Sequence, residues 1–312
     1  MTDTISKDYV IETKNLTCCF GSFTAVDRLN LKIPRGSIYG FIGPNGCGKS
    51  TTIRMLCSIL RPTAGIATVL GYDTAKDVNA IKQHIGYMSQ KFSLYHDLTA
   101  IENLNFYAGL YSLTKQEQRQ RIPELLSLLH LDYKENALAA TLSGGTRQRL
   151  ALGCAILHRP EILFLDEPTS AVDPTSRRLF WNVIYELSHQ GTTILVTTHF
   201  MDEAEHCDET GFLRAGRLIA NGTPAVLKHS INGQLITMDS TTPLEALARL
   251  KASKISYLDA YIFGKKLHVI LTPDADTTKL DNYQKAEPTM EDVFVYYDKH
   301  EKRSEKKEVI KT

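Results

Sequence analysis

Nine consecutive residues constrain this chain more than any others: Gly43-Pro44-Asn45-Gly46-Cys47-Gly48-Lys49-Ser50-Thr51. They match the phosphate-binding loop pattern of a Gly, four residues, then Gly-Lys-Ser. Ahead of them Ser37-Ile38-Tyr39-Gly40-Phe41-Ile42 reads as a buried strand, and behind them residues 52–60 carry apolar side chains at helical spacing. The motif needs that strand–loop–helix context. The glycines let the backbone curl until several N–H groups point at one anion, and the helix start adds the positive end of its dipole. Lys49 is placed to reach β- and γ-phosphates, and the Ser50 hydroxyl to bind Mg²⁺.

A second element supports the first. Ile162-Leu163-Phe164-Leu165-Asp166-Glu167 is an apolar strand ending in two acids, the Walker B pattern. Alone, such a strand end is an ordinary solvated terminus. Beside a phosphate loop, Asp166 can hold Mg²⁺ through water, and Glu167 is placed to take a proton from an attacking water. A third element is Leu142-Ser143-Gly144-Gly145-Thr146-Arg147-Gln148-Arg149. Ser143 is an N-cap candidate for a helix from about Thr146 to His158. Gly144 and Gly145 leave backbone N–H groups open to an anion.

Between these motifs strands alternate with helices. Strands are expected at 10–20, 25–33, 66–70, 85–89 and 192–197, and helices at 98–110, 115–129, 174–189 and 200–207. Pro62 and Gly65 are expected to end the helix after the phosphate loop, and Pro123 to kink or divide the one holding it. Residues 211–220 read as a hairpin turning at Ala215-Gly216. The alternation predicts an α/β fold, a largely parallel sheet covered on both faces, with a helical insert at about 91–142. Asn221-Gly222-Thr223-Pro224 reads as a boundary loop. A small α+β appendage follows over 225–298, with a strand at 234–238, a helix at 243–252 and strands at 257–263 and 266–271 meeting across Gly264-Lys265. The Lys- and Glu-rich tail 299–312 reads as a frayed helix or disordered.

With a formal net charge of +1, no bulk field draws the chain to nucleic acid or to a membrane surface. No apolar run is long enough to span a bilayer. Residues 1–8 are polar and show no signal-peptide core. The six cysteines form no Cys-x-x-Cys pair and read as reduced thiols. Cys47 lies inside the phosphate loop. It reads first as a small filler of a tight turn, but a helix N-terminus can lower a thiol pKa, so a thiol reagent is expected to inhibit nucleotide hydrolysis and bound ATP to protect.

Together the three motifs resemble the nucleotide-binding subunit of an ATP-binding cassette (ABC) protein, over roughly residues 9–225. The run from Leu142 is similar to that family's signature, usually written LSGGQ, with Thr146 in place of the usual Gln or Glu. The resemblance implies a P-loop NTPase core with an antiparallel β subdomain, ATP and Mg²⁺ as ligands, and two ATP molecules sandwiched between head-to-tail subunits. One subunit would supply the loop, Walker B and His199, and the other Ser143, Gly144 and Gly145. Gln90 matches the Q-loop, which senses Mg²⁺ and the attacking water. Asp173 in Ala171-Val172-Asp173 matches the D-loop, which communicates across the dimer. His199 matches the switch histidine, and Phe20 the aromatic that stacks on adenine, with Phe23 its near rival.

GTPases and kinases share phosphate loops, but the signature and His199 argue against them and no Asn-Lys-x-Asp motif occurs. A soluble ABC ATPase acting on ribosomes or nucleic acid is the rival reading. Neither a fused second cassette with a charged linker nor long coiled coils occur here. Residues 91–104, 198–205 and Pro288-Thr289-Met290-Glu291-Asp292-Val293-Phe294 look like segments of bacterial drug and polysaccharide exporter ATPases. That likeness implies separately encoded membrane subunits, a peripheral place on the cytoplasmic face of the cell membrane, and a groove over 85–110 for a helix of the membrane partner, with exposed apolar residues near Phe92 to Tyr95. Chains of this kind also occur as one half of a two-cassette protein.

Overall fold

The computed structural model describes residues 8–91, 94–240, 242–253, 255–280 and 283–309. Its contacts form two compact units, 1–218 and 219–312. The first unit begins with β1 (Tyr9–Phe20), β2 (Phe23–Pro34) and β3 (Ile38–Ile42), then α1 (Lys49–Leu56), β4 (Ala64–Val69), β5 (Tyr72–Asp73), α2 (Val78–His84) and β6 (Ile85–Met88). It continues with α3 (Ala100–Leu110), α4 (Lys115–Leu128), α5 (Gly144–Ile156), β7 (Ile162–Asp166), α6 (Pro174–His189), β8 (Thr193–Thr198) and β9 (Glu209–Arg214), and β10 (Arg217–Gly222) runs across the division.

Two sheets organise this unit. An antiparallel sheet runs β2-β1-β4-β5, and a second runs β10-β9-β3-β8-β7-β6, with β9, β3, β8, β7 and β6 parallel. Alternate residues of the parallel strands feed two cores. Ile38, Leu163, Leu165, Ile194 and Val196 join the helices of the insert, α5 and α6. Tyr39, Phe41, Ile162, Phe164 and Leu195 join α1 and the antiparallel sheet. Burial on both faces is why these strands read as unbroken apolar runs. Their carboxyl ends carry the motifs, the edge where ligands bind in open α/β sheets. No helix among the described residues is long and apolar enough to cross a membrane.

Several local expectations are corrected. The helix after the phosphate loop stops at Leu56, ahead of Pro62. Ser58 turns with φ 56°, and Ile59 is exposed, so its apolar side chain does not continue a buried stripe. Pro123 does not divide its helix. Pro123 and Arg119 both face solvent, where water can satisfy the carbonyl left without a donor, while Gln118, Ile122, Leu125 and Leu126 anchor the opposite face. Helix α2 was not expected from the sequence, and residues 201–206 form a 3₁₀ turn rather than an α-helix. Gly222 still belongs to a strand, and Thr223 caps the next helix, so the boundary loop is shorter than it reads. Phe92 and Ser93, as well as residues 1–7 and 310–312, lie outside the described residues.

The second unit contains α7 (Pro224–His229), β11 (Gln234–Asp239), α8 (Pro243–Ala252), β12 (Tyr257–Phe263), β13 (Lys266–Leu271), β14 (Tyr283–Lys285) and α9 (Met290–Val309). Its antiparallel sheet runs β12-β13-β11-β14 over a core that includes Ile236, Leu250 and Val269. The hairpin across Gly264-Lys265 forms as expected, with Gly264 at φ 61°. Of the two readings of the charged tail from residue 299, the helical one holds, and the tail continues α9 to Val309. Thr289 and Asp292 start that helix by bonding each other's backbone N–H. Asp292 is fully buried and also accepts from Tyr261. Burial pushes its carboxyl up, but bonds from Thr289 and Tyr261 outweigh this and hold it below the usual range.

Candidate functional site

The phosphate loop turns between β3 and α1, with Gly46 at φ 79° and Gly48 at φ 107°. Gly48 is the N-cap of α1 and offers no side chain to its first N–H groups. Those donors therefore remain available to an anion. A Cβ at Gly48 would stand 2.4 Å from the Ala25 carbonyl, and one at Gly43 2.2 Å from the Leu213 carbonyl, so both positions require glycine.

Lys49 is buried beneath this loop. Its Nζ donates to the carbonyls of Gly43 (2.7 Å) and Pro44 (3.1 Å) and pairs with Glu167 Oε1 at 3.1 Å. The other Glu167 oxygen accepts from Gln90 Nε2 at 3.2 Å and lies 3.3 Å from His199 Nδ1. Ser50 Oγ donates to Asp166 Oδ1 at 2.9 Å. Six residues drawn from four sequence segments thus converge at the carboxyl ends of β3, β7 and β8 and the start of α1. The cluster among the described residues does not include Phe20, Asp173 or Ser143 to Gly145.

One member of the cluster was missed from sequence. Thr197 stands opposite Asp166 in the β7–β8 register. Its hydroxyl donates to Asp166 Oδ1 (2.9 Å) and accepts from the Glu167 N–H (3.0 Å), so one side chain orients both acids. Glu167 itself has φ 50°, a left-handed conformation costly for this residue and held by this bond. The sequence signal was the pair Thr197-Thr198 after the apolar run Ile194-Leu195-Val196.

The oxygens of Ser50, Asp166 and Gln90 suit a hard cation that keeps waters and phosphate oxygens as its remaining ligands. Among the described residues no group of three or more His, Cys, Asp or Glu side chains could hold a metal on its own.

Ser143 caps α5, accepting from the Thr146 N–H at 3.3 Å, with the two hydroxyls 2.8 Å apart. The helix therefore starts at Gly144, slightly before the expected Thr146. A Cβ on Gly145 would lie 2.3 Å from Ser176 Cβ, so this glycine permits α5 to approach the start of α6. Asp173 caps α6 by accepting from the Ser176 N–H (3.0 Å), a bond that lowers its carboxyl pKa. Phe20 and Phe23 pair across the β1–β2 turn and are 53% and 60% exposed, so neither ring is spent on a core.

Cys47 is the small filler of a tight turn that it first reads as, not a thiol activated by the helix start. Its thiol is buried beside Gly43, and burial pushes its pKa up despite the neighbouring Lys49. Reagent sensitivity is thus reversed. At neutral pH a thiol reagent is expected to label the half-buried Cys19 well before Cys47, with Cys47 labelling accelerating only on unfolding. Mass-spectrometric time courses check this, and rapid stoichiometric labelling of Cys47 in the folded chain would contradict the burial.

A family model described as ABC transporter matches residues 26–170. The probable multidrug ABC transporter ATP-binding protein YbhF of Escherichia coli is 50% identical over 219 residues, which cover 70% of this chain but 38% of that protein. The chain thus spans well under half of that relative's length. The daunorubicin/doxorubicin resistance ATP-binding protein DrrA of Streptomyces peucetius is 36% identical over 86% of this chain and 79% of its own. Among solved structures, a dimeric bacterial ABC transporter cassette superposes with TM-score 0.63 at 27% identity, covering 68% of this chain and 98% of that one.

Proposed function

This chain belongs to the family of ABC transporter ATP-binding proteins, and from that premise we propose that it hydrolyses ATP with Mg²⁺ to drive separately encoded membrane-spanning subunits of an exporter. The observation that carries this reading is the placement of Glu167. A buried carboxylate with one oxygen on Lys49 and the other facing Gln90 and His199 is a base held at the loop where a terminal phosphate would sit. Lys49 would exchange the Gly43 and Pro44 carbonyls for phosphate oxygens. His199 would contact the γ-phosphate, and Gln90 would orient the attacking water. Ser50, Asp166 and Gln90 would hold Mg²⁺, which neutralises phosphate charge when bound.

Completion of the site needs a second subunit. Ser143, Gly144 and Gly145 start a helix elsewhere on the chain, with N–H groups suited to a phosphate of the partner's nucleotide. Asp173 begins α6 beside that glycine pair, a position suited to passing contacts between subunits. Phe20, or Phe23, would stack on adenine. A homodimer or pseudo-dimer closed by ATP and reopened by hydrolysis turns binding energy into motion. The multidrug and drug-resistance designations of the relatives support the export direction. The near-neutral charge supplies no bulk attraction to ribosomes or nucleic acid.

Coupling to the membrane subunits would use the insert. Tyr95 and Phe106 are both exposed, with ring centroids 4.5 Å apart, and Leu110 continues the apolar surface to a groove of about 860 Å³ lined by Lys82, Tyr111, Arg121 and His158. Tyr95→Ser with Phe106→Ser is expected to leave hydrolysis by the isolated chain within about twofold, as surface substitutions do, and to abolish its stimulation by the membrane partner. Undiminished stimulation would remove this patch from the interface. The wider test is co-purification of the tagged full chain from membranes, with ATPase assayed in the recovered material. An integral-membrane protein that stimulates hydrolysis supports the exporter reading. Recovery with ribosomes or nucleic acid alone overturns it and leaves the ATP site standing.

A further inference from the structure

Besides Asp166 and Glu167, the first unit buries another carboxylate, Glu203, 1% exposed, in the 3₁₀ turn that follows His199. One oxygen, Oε1, takes every polar neighbour. Thr169 Oγ1 donates to it at 2.6 Å, Trp181 Nε1 at 3.4 Å, and Arg177 Nε stands 3.6 Å away. Among the described residues, Oε2 is buried without a hydrogen-bond partner, as is Arg177 Nε. A buried charge so incompletely paired is costly, and an apolar side chain would fill the same space more cheaply. Packing alone therefore does not account for it.

The partners suggest what does. Thr169 lies two residues beyond Glu167. Arg177 is in the first turn of α6, the helix that Asp173 caps, and its backbone N–H bonds the Asp173 carbonyl at 2.9 Å. The Arg177 guanidinium also covers the Phe200 ring at 4.1 Å, and Phe200 in turn packs on His199 with centroids 4.2 Å apart. Glu203 thus touches, directly or through one residue, the segments bearing Glu167, Asp173 and His199.

We propose that Glu203 is a positioning residue that holds these three segments in one register, so that a change at the γ-phosphate is transmitted to the dimer-facing start of α6. The proposal rests on the ATPase reading above. Its charge acts by keeping Arg177 over Phe200, which sets the ring of His199. Its carboxylate oxygen fixes Thr169 and so the turn leaving Glu167.

The chain carries its own reporter. Trp181 is its only tryptophan, and its indole N–H is one of the Glu203 donors. In the full-length chain, saturating ATP with Mg²⁺ is expected to shift Trp181 emission. Glu203→Gln keeps the shape and an acceptor oxygen but removes the attraction for Arg177. It is expected to lower kcat about tenfold to a hundredfold, the scale of a misplaced reacting group, with KM for ATP within about twofold, and to suppress the emission shift. Thr169→Val, which deletes one donor at nearly constant volume, is expected to do the same more mildly and serves if the first variant does not fold.

ATP binding measured separately, by calorimetry, keeps the two readings apart. If the wild-type chain does not bind or hydrolyse ATP, the ATPase reading fails. If it does, and a folded Glu203→Gln or Thr169→Val variant retains wild-type kcat and the full emission shift, the positioning role is overturned.

Discussion

Glu167→Gln is expected to cut ATP turnover by about 10²–10⁴-fold, the usual contribution of a general base, while ATP still binds. The substitution keeps the shape of a side chain in contact with Lys49, Gln90 and His199, and it keeps an oxygen for the Gln90 amide. What it removes is proton affinity and negative charge. Losing the charge leaves Lys49 with more of its attraction free for a polyphosphate, so bound ATP is expected to persist rather than escape. With hydrolysis blocked, the γ-phosphate contacts that hold the dimer closed are never lost, and an ATP-bound dimer should accumulate. Light scattering with ATP and Mg²⁺ reads the dimer, and single-turnover assays read the chemistry. Wild-type turnover in this variant would remove Glu167 from its role.

The extent to which such a site can be read from sequence depends on how local its geometry is. Gly43 to Thr51, Asp166 with Glu167, and Ser143 to Gly145 are each contiguous, because a helix start or a strand end sets their geometry within a few residues. Those elements, and the α/β alternation around them, were legible. Thr197 was not, because its role comes from register. It is opposite Asp166 only because β7 and β8 lie side by side in parallel. Glu203 was hidden for a related reason, since its partners Thr169, Trp181 and Arg177 come from a loop and a helix that the fold brings together. Pro123 does not divide its helix because it lies on the wet face, which propensity does not know. At Cys47 the filler reading holds and the activated-thiol alternative does not, because a helix N-terminus and burial act oppositely on a thiol and only the structure shows that burial wins.

Lys49→Ala is expected to fail differently from Glu167→Gln, and the contrast separates clamp from base. Hydrolysis should fall at least about a hundredfold, the scale of losing one preorganised charge contact, and ATP affinity should fall with it. The nucleotide-free chain should also lose stability. Nζ ties Gly43 and Pro44 to the start of α1 and neutralises a buried carboxylate, and removing one partner of a buried ion pair costs about 3–5 kcal/mol. At about 2–4 °C per kcal/mol for a unit of this size, the melting temperature should drop by roughly ten degrees. Combining Lys49→Ala with Glu167→Gln removes both charges together, and stability should then recover in part, because no unpaired ion remains. Activity and tight ATP binding should not recover, since the phosphate clamp is still missing. Thermal melts and ATP titrations on the single and double variants read both quantities. Stability that stays at its single-variant value would mean the Gly43 and Pro44 contacts, not the ion pair, carry the structural effect. Wild-type hydrolysis in Lys49→Ala would remove the phosphate loop from the reaction.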